Sequence, residues 1–202
     1  MIHGLWMHGI VMLPQQHWLT RRGFAVRRFS YPTVRQGLQH NARALSQFVA
    51  ATGNGNIHLV GHSLGGLVAL RMLAQYPDPR VRRVVLMGPP CAGSHCASVL
   101  LRTPGLAAIV GRSLKEWLAL PRLPVPSQVE IGVISGSRSL GLGRLIPGLP
   151  RPNDGVVSVM ETRLPEARDS ITLPVSHTQM LVSRACADQV AAFIGSGSFV
   201  HD

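Results

Sequence analysis

Residues 56–76, NIHLVGHSLGGLVALRMLAQY, contain two structural rhythms joined by a turn. The run Asn56–Val60 is short and apolar and is bounded by turn residues, which predicts a buried strand. The run from Ser63 to Tyr76 is long and rich in leucine and alanine, which predicts a helix ended by Pro77. Between them stands Gly61-His62-Ser63-Leu64-Gly65, a G-x-S-x-G motif in a strand-turn-helix context. A serine on such a turn projects its hydroxyl above the sheet. Gly61 and Gly65 keep the flanking backbone clear, and the helix start aims N–H groups at an anion. Ser63 is therefore the candidate nucleophile. The bland alternative is an ordinary serine in a glycine-rich turn.

The same alternation extends in both directions. GIVMLPQQHWLTRRG (9–23) predicts a helix closing on Gly23, and FAVRRFSY (24–31) predicts a strand. In 34–52, Leu38, Ala42, Leu45 and Val49 recur at helical spacing and form one apolar face. VRRVVLMG (81–88), VEIGVISG (129–136) and DSITLP (169–174) predict strands, and ACADQVAAFI (185–194) predicts a closing helix. Strands separated by helices imply βαβ units and a mostly parallel sheet. Ligands in such sheets bind beyond the carboxyl ends of the strands. With 202 residues, the chain suffices for one domain with one sizeable core.

At this point the chain resembles the α/β-hydrolase fold superfamily. Within it, the chain is most similar to short bacterial lipases and esterases and to GPI-inositol-deacylase-like proteins. The likeness runs from His3 to His177. It implies an α/β architecture: a mostly parallel central sheet with helices on both faces. It also implies a base and an orienting acid that follow the serine in the order acid, then histidine. Of nine histidines, His3, His8, His17, His40 and His58 precede Ser63, and His95 and His201 fall too early or in the tail. His62 adjoins the serine, where its side chain is expected to point elsewhere. His177, in LPVSHTQML, remains as the base. Asp154, in the turn RPNDGVVS, is the expected acid, with Asp169 its main rival, then Glu161, and Asp78 in a surface turn. A purely structural role is the alternative for each.

The stretch MIHGLWMHG (1–9) then resembles an oxyanion loop. Acyl transfer needs two N–H donors on the developing oxyanion. By resemblance these are the backbone amides of Leu5, after the His-Gly pair, and of Leu64, after the serine. Only Met1 and Ile2 precede the pair, against ~5–6 residues in a typical strand, so a shortened N-terminal strand is expected. This leaves a misplaced start or a truncation as alternatives. Trp6, Met7, His8 and Met12 are candidates for the acyl pocket, with core packing the alternative for the two methionines. Residues 91–121 form either a lipophilic cap or a crossover helix.

The net charge of +11 comes almost wholly from arginine, with Lys115 the single lysine. Arg21, Arg22, Arg27, Arg28, Arg80, Arg82 and Arg83 are scattered, unlike the interleaved patches of nucleic-acid modules. Nucleic acid is therefore not expected as a partner; the basic surface is either simply solvated or, as the alternative, a peripheral contact with an anionic membrane surface. No run reaches ~18 apolar residues, and no signal-peptide pattern is visible. Three cysteines, an odd count, fit a reducing compartment, and a cytoplasmic location is expected. Cys91, His95 and Cys96 lack a second ligand pair, so no metal is expected, and no cofactor. The reading is a serine hydrolase of carboxylic esters acting on a small-molecule or lipid substrate. Its alternatives are an acyltransferase on the same fold and an impaired hydrolase-fold binding module.

Overall fold

The computed structural model describes every residue except Arg122 and Asp202. Four strands form a parallel sheet in the order β1 (Ile57–His62), β2 (Val81–Met87), β3 (Glu130–Gly136) and β4 (Asp169–Leu173). Successive strands are neighbours, so each connection must cross over; α-helices make the crossings from β1 to β2 and from β2 to β3, and a largely irregular stretch joins β3 to β4. The helices are α1 (Leu13–Thr20), α2 (Leu38–Ala50), α3 (Leu64–Gln75), α4 (His95–Arg102), α5 (Gly111–Ala119) and α6 (Arg184–Ser196).

Strand periodicity sorts the core into two layers. Leu59, Val84, Leu86, Ile131 and Val133 pack with Leu45, Val49, Leu67 and Leu73 from α2 and α3. Their alternates Val60, Val85, Met87 and Ile134 pack with Leu19, Val190 and Phe193 from α1 and α6. The four α2 residues at helical spacing are all buried. Each of the larger three contributes about 1.5–3 kcal/mol by leaving water. Gly132 has no side chain because the Phe193 ring lies where a Cβ would stand, 2.7 Å away.

The segment predicted as a strand at 24–31 makes a single bridge, Phe29 to Ile2. Its neighbour in the sheet is only Met1–Ile2, too short to carry a ladder. That two-residue piece is nonetheless held on both sides. Ile2 N–H donates to Val60 O, His62 N–H to Ile2 O, and Phe29 N–H to Met1 O. Ile2 is fully buried between β1 and the Phe29 segment.

Met12 is a buried core residue beside α1, and Met7 is partly buried against the same cluster. Within 91–121, Leu114 and Trp117 of α5 join the core beneath α2 and α3. Leu106 and Ile109, in the turn before α5, face outward. No helix among the described residues is long and apolar enough to cross a membrane.

Candidate active site

The carboxyl ends of the four strands carry the residues of interest. Ser63 follows β1 directly, at φ +52 and ψ −123. Left-handed backbone of this kind is uncommon outside glycine and is sustained only when the surroundings impose it. Here they do. Ser63 N–H donates to Met87 O, and α3 begins at the next residue. A Cβ on Gly65 would lie 2.4 Å from Ile2 O, and one on Gly61 would lie 2.6 Å from the Gly66 backbone. The bare elbow is thus a packing requirement, as its glycines suggested.

Past β4, His177 is buried and its Nδ1 lies 2.6 Å from Asp154 Oδ2. Asp154 is fully buried in the turn after β3. Its Oδ1 accepts from the N–H groups of Val156 (2.9 Å) and Val157 (2.7 Å). Its backbone carbonyl accepts from His177 N–H. These bonds orient the carboxylate and fix its free oxygen on the imidazole, leaving Nε2 as the proton acceptor. Gly88, after β2 at φ +58, lies under this pair. A Cβ there would be 3.1 Å from His177 Nδ1 and 3.2 Å from Asp154 Oδ2.

The rival acids are engaged elsewhere. Asp169 pairs with His201 and accepts from Phe199 N–H. Glu161 caps the backbone of His95 and Ser158. Asp78 holds Arg80. Cys91, Cys96 and Cys186 are buried, and no disulfide joins them.

The loop from His3 to Gly9 lies against the serine. A Cβ on Gly4 would be 3.2 Å from Ser63 Cβ. His3 organises this loop from beneath. Tyr31 N–H donates to its Nε2, so Nδ1 carries the proton and donates to Gly4 O at 3.0 Å. The Tyr31 hydroxyl donates to His3 O. Burial lowers the His3 pKa and keeps it neutral. Hydroxyls of Thr33 and Ser30 accept from Trp6 N–H and Gly9 N–H. Among the described residues, Leu5 N–H has no such partner, and neither does Leu64 N–H at the head of α3. Trp6 sits at φ +58 and is largely exposed, its indole N–H donating to Ile109 O. His8 is exposed nearby, 6.3 Å from the His3 ring.

One expectation is corrected. The His62 side chain does not point away from the site. It is fully buried, its Nε2 is 3.0 Å from His177 O, and the two rings are 4.7 Å apart. A residue buried between the nucleophile and base loops has a partner far away in sequence, which local pattern does not disclose. Gly88 was also missed; its signal is a glycine closing a buried strand.

With the sheet order, the elbow and the His–Asp pair in place, comparison with known proteins follows. A family model described as alpha/beta hydrolase fold matches residues 37–104. The mature lipase BlEst2 of Bacillus licheniformis superposes with a TM-score of 0.74, over 96% of this chain and 89% of that one, at 17% identity. The chain has the α/β-hydrolase fold. The metagenomic carboxyl esterase MGS0156 aligns with this chain at a TM-score of 0.69 and 22% identity, covering 87% of it and 63% of the esterase. In sequence, a 2-hydroxy-6-oxo-6-phenylhexa-2,4-dienoate hydrolase of Comamonas testosteroni is 45% identical over 58 residues. That stretch is 28% of this chain and 20% of the relative, so it spans about a fifth of the relative's length. An N-formylmaleamate deformylase of Pseudomonas putida is 39% identical over 64 residues, 32% and 24% of the two lengths.

His62 gives this fold a marked acid response. Burial and the neighbouring His177 push its pKa down to about 3, against an ordinary value of 6.5. The unfolded chain therefore binds this proton below about pH 6.5 and the folded chain does not. Its share of stability is complete above that pH and drains as pH falls towards 3, at up to ~1.4 kcal/mol per unit. Urea titrations from pH 7 to 4.5 are expected to show this slope, and His62→Gln to flatten it. An unchanged slope in the variant would remove His62 as its source.

Proposed function

We propose that this protein is a serine hydrolase of carboxylic esters. The reading is carried by one observation: a serine at φ +52 at the tip of β1, next in sequence to a histidine whose ring lies 4.7 Å from a buried His177–Asp154 pair. Ser63 Oγ attacks the ester carbonyl as its proton passes to His177 Nε2. Asp154 stays ionised, keeps the imidazole in the accepting tautomer and stabilises the imidazolium. The amides of Leu5 and Leu64 bond the oxyanion, each worth about 10²–10³ in rate. Collapse expels the alcohol, which takes the proton from His177. Water then attacks the acyl-Ser63 ester, giving its proton to His177, and the acid leaves as Ser63 regains that proton. Trp6 and His8 line the entrance on the oxyanion-loop side. The hydrolase, lipase and esterase names of the relatives and neighbours are consistent with this reading.

The test is covalent labelling by a fluorophosphonate, read as a mass increase on the Ser63 peptide. Labelling at Ser63 supports an assembled site. A folded protein that resists labelling would favour the binding-module reading. Product analysis with an added alcohol separates hydrolysis from acyl transfer.

The partner class follows from the loop between β3 and Asp154. It exposes Leu142 and Leu145 to 74% and 80%, with Leu140 also outward. The exposed Arg138, Arg144 and Arg151 accompany them, and no acidic residue lies between 131 and 153. Apolar tips with basic flanks suit an anionic lipid surface, where each arginine adds about 1 kcal/mol. By contrast, Arg80 and Arg83 are paired with Asp78 and Glu130. Binding to anionic vesicles at low salt is expected, weakening as salt rises. It should be lost in Leu142→Asp/Leu145→Asp. Salt-insensitive binding, or binding retained by that variant, would overturn the assignment.

A further inference from the structure

We infer that His62 is a positioning residue, which locks the backbone of the catalytic-base loop to the oxyanion loop through a single neutral imidazole. The inference rests on the proposed roles of Ser63 and His177 and deepens them.

Three observations carry it. The first is the bond from His62 Nε2 to His177 O, at 3.0 Å. A carbonyl only accepts, so Nε2 must carry the proton and Nδ1 is bare. The bond grips the main chain of the base itself rather than its ring. The ring remains free to exchange protons, while the peptide that aims it is tied down.

The second observation is the bare Nδ1. It is buried and has no hydrogen-bond partner among the described residues. A lone acceptor of this kind costs about 1–3 kcal/mol. What faces it is the Gly4 backbone: a Cβ on Gly4 would stand 3.0 Å from Nδ1 and 3.2 Å from Ser63 Cβ. The oxyanion loop thus rests on the His62 ring and on the serine together. Any larger residue at position 4 would lift the loop carrying Leu5 from the site.

The third is connectivity. His62 ends β1, where its own N–H donates to Ile2 O. One residue thereby touches the segment leading into the oxyanion loop, the nucleophile beside it and the base loop 115 positions on. The low pKa of its buried ring keeps it uncharged throughout catalysis. It accepts no proton in the reaction; its effect is on geometry.

A displacement of catalytic groups by about 1 Å costs on the order of 10² in rate. The experiment compares His62→Leu, His62→Gln and His62→Asn. Leucine removes the donor, glutamine presents an N–H near the Nε2 position, and asparagine stops short of the carbonyl. Three readouts are taken: kcat and KM on a soluble short-chain ester, the rate of fluorophosphonate labelling, and the far-downfield proton resonance of His177 Nδ1–H without substrate. The leucine and asparagine variants are expected to lose about 10²-fold in kcat with KM unchanged, and to shift that resonance. Glutamine is expected to restore most of kcat and the parental resonance.

If leucine does not fold, the glutamine–asparagine comparison decides alone. Equal impairment of glutamine and asparagine would reduce His62 to a packing residue and overturn the inference. So would a leucine variant with parental kcat and an unmoved resonance. If the parent turns over no ester, the resonance still reads the His62 contact, so the two failures remain distinct.

Discussion

Ser63→Ala is expected to abolish fluorophosphonate labelling and to lower ester turnover by about 10⁶. The size follows from what the elbow concentrates in one atom. In the proposed mechanism Ser63 Oγ is the group to which the acyl fragment becomes bonded, and its φ of +52 is sustained by the Met87 carbonyl and the glycine flanks. Alanine keeps that backbone and removes only the oxygen, so the fold should persist with an unchanged melting temperature. His177→Ala should cost a similar amount. The double variant should cost scarcely more than either, because nucleophile and base act as one unit. A Ser63→Ala protein retaining more than a small fraction of the parental rate would move the chemistry to another residue.

Asp154→Asn is expected to lower kcat by about 10⁴ while leaving KM and the fold little changed. The carboxylate has two distinct jobs. Oδ1 takes two turn N–H groups and Oδ2 takes His177 Nδ1. An asparagine can satisfy the turn with its carbonyl oxygen, which leaves its NH₂ facing the imidazole. That donor would force Nδ1 to accept and put the ring proton on Nε2, so His177 could no longer take the Ser63 proton. Burial leaves no water to relieve the conflict. Steady-state kinetics at two pH values checks this. A rate within tenfold of the parent would assign the acid elsewhere, with Asp169 next in line.

Much of this arrangement was legible in local pattern. Ser63 could be read because strand, turn and helix are all encoded within a few residues. Asp154 and His177 were expected from the acid-then-histidine order that the resemblance implies and from the turns around them, and the fold brings the two together. The strand expected at 24–31 failed for a physical reason: period-2 apolar spacing marks a strand's faces but not its edges, and Phe29 has only Met1–Ile2 to pair with. The positive φ of Trp6 was equally hidden, since it is imposed by Thr33 and by the carbonyl of Ile109. His62 was misjudged because its role exists only once the chain has closed on itself.

The parallel order of the sheet also has a consequence in time. The strands lie across the sheet in the order in which they are synthesised, from β1 to β4. Ser63 leaves the ribosome with its elbow and helix, whereas His177 lies more than a hundred residues behind it, and the bond closing the site joins positions 115 apart. On the proposed roles, a nascent chain therefore carries the nucleophile without its base until position 177 has been added. On the proposed mechanism the centre is complete only once the segment after β4 has been made, so an incomplete polypeptide would also be a harmless one.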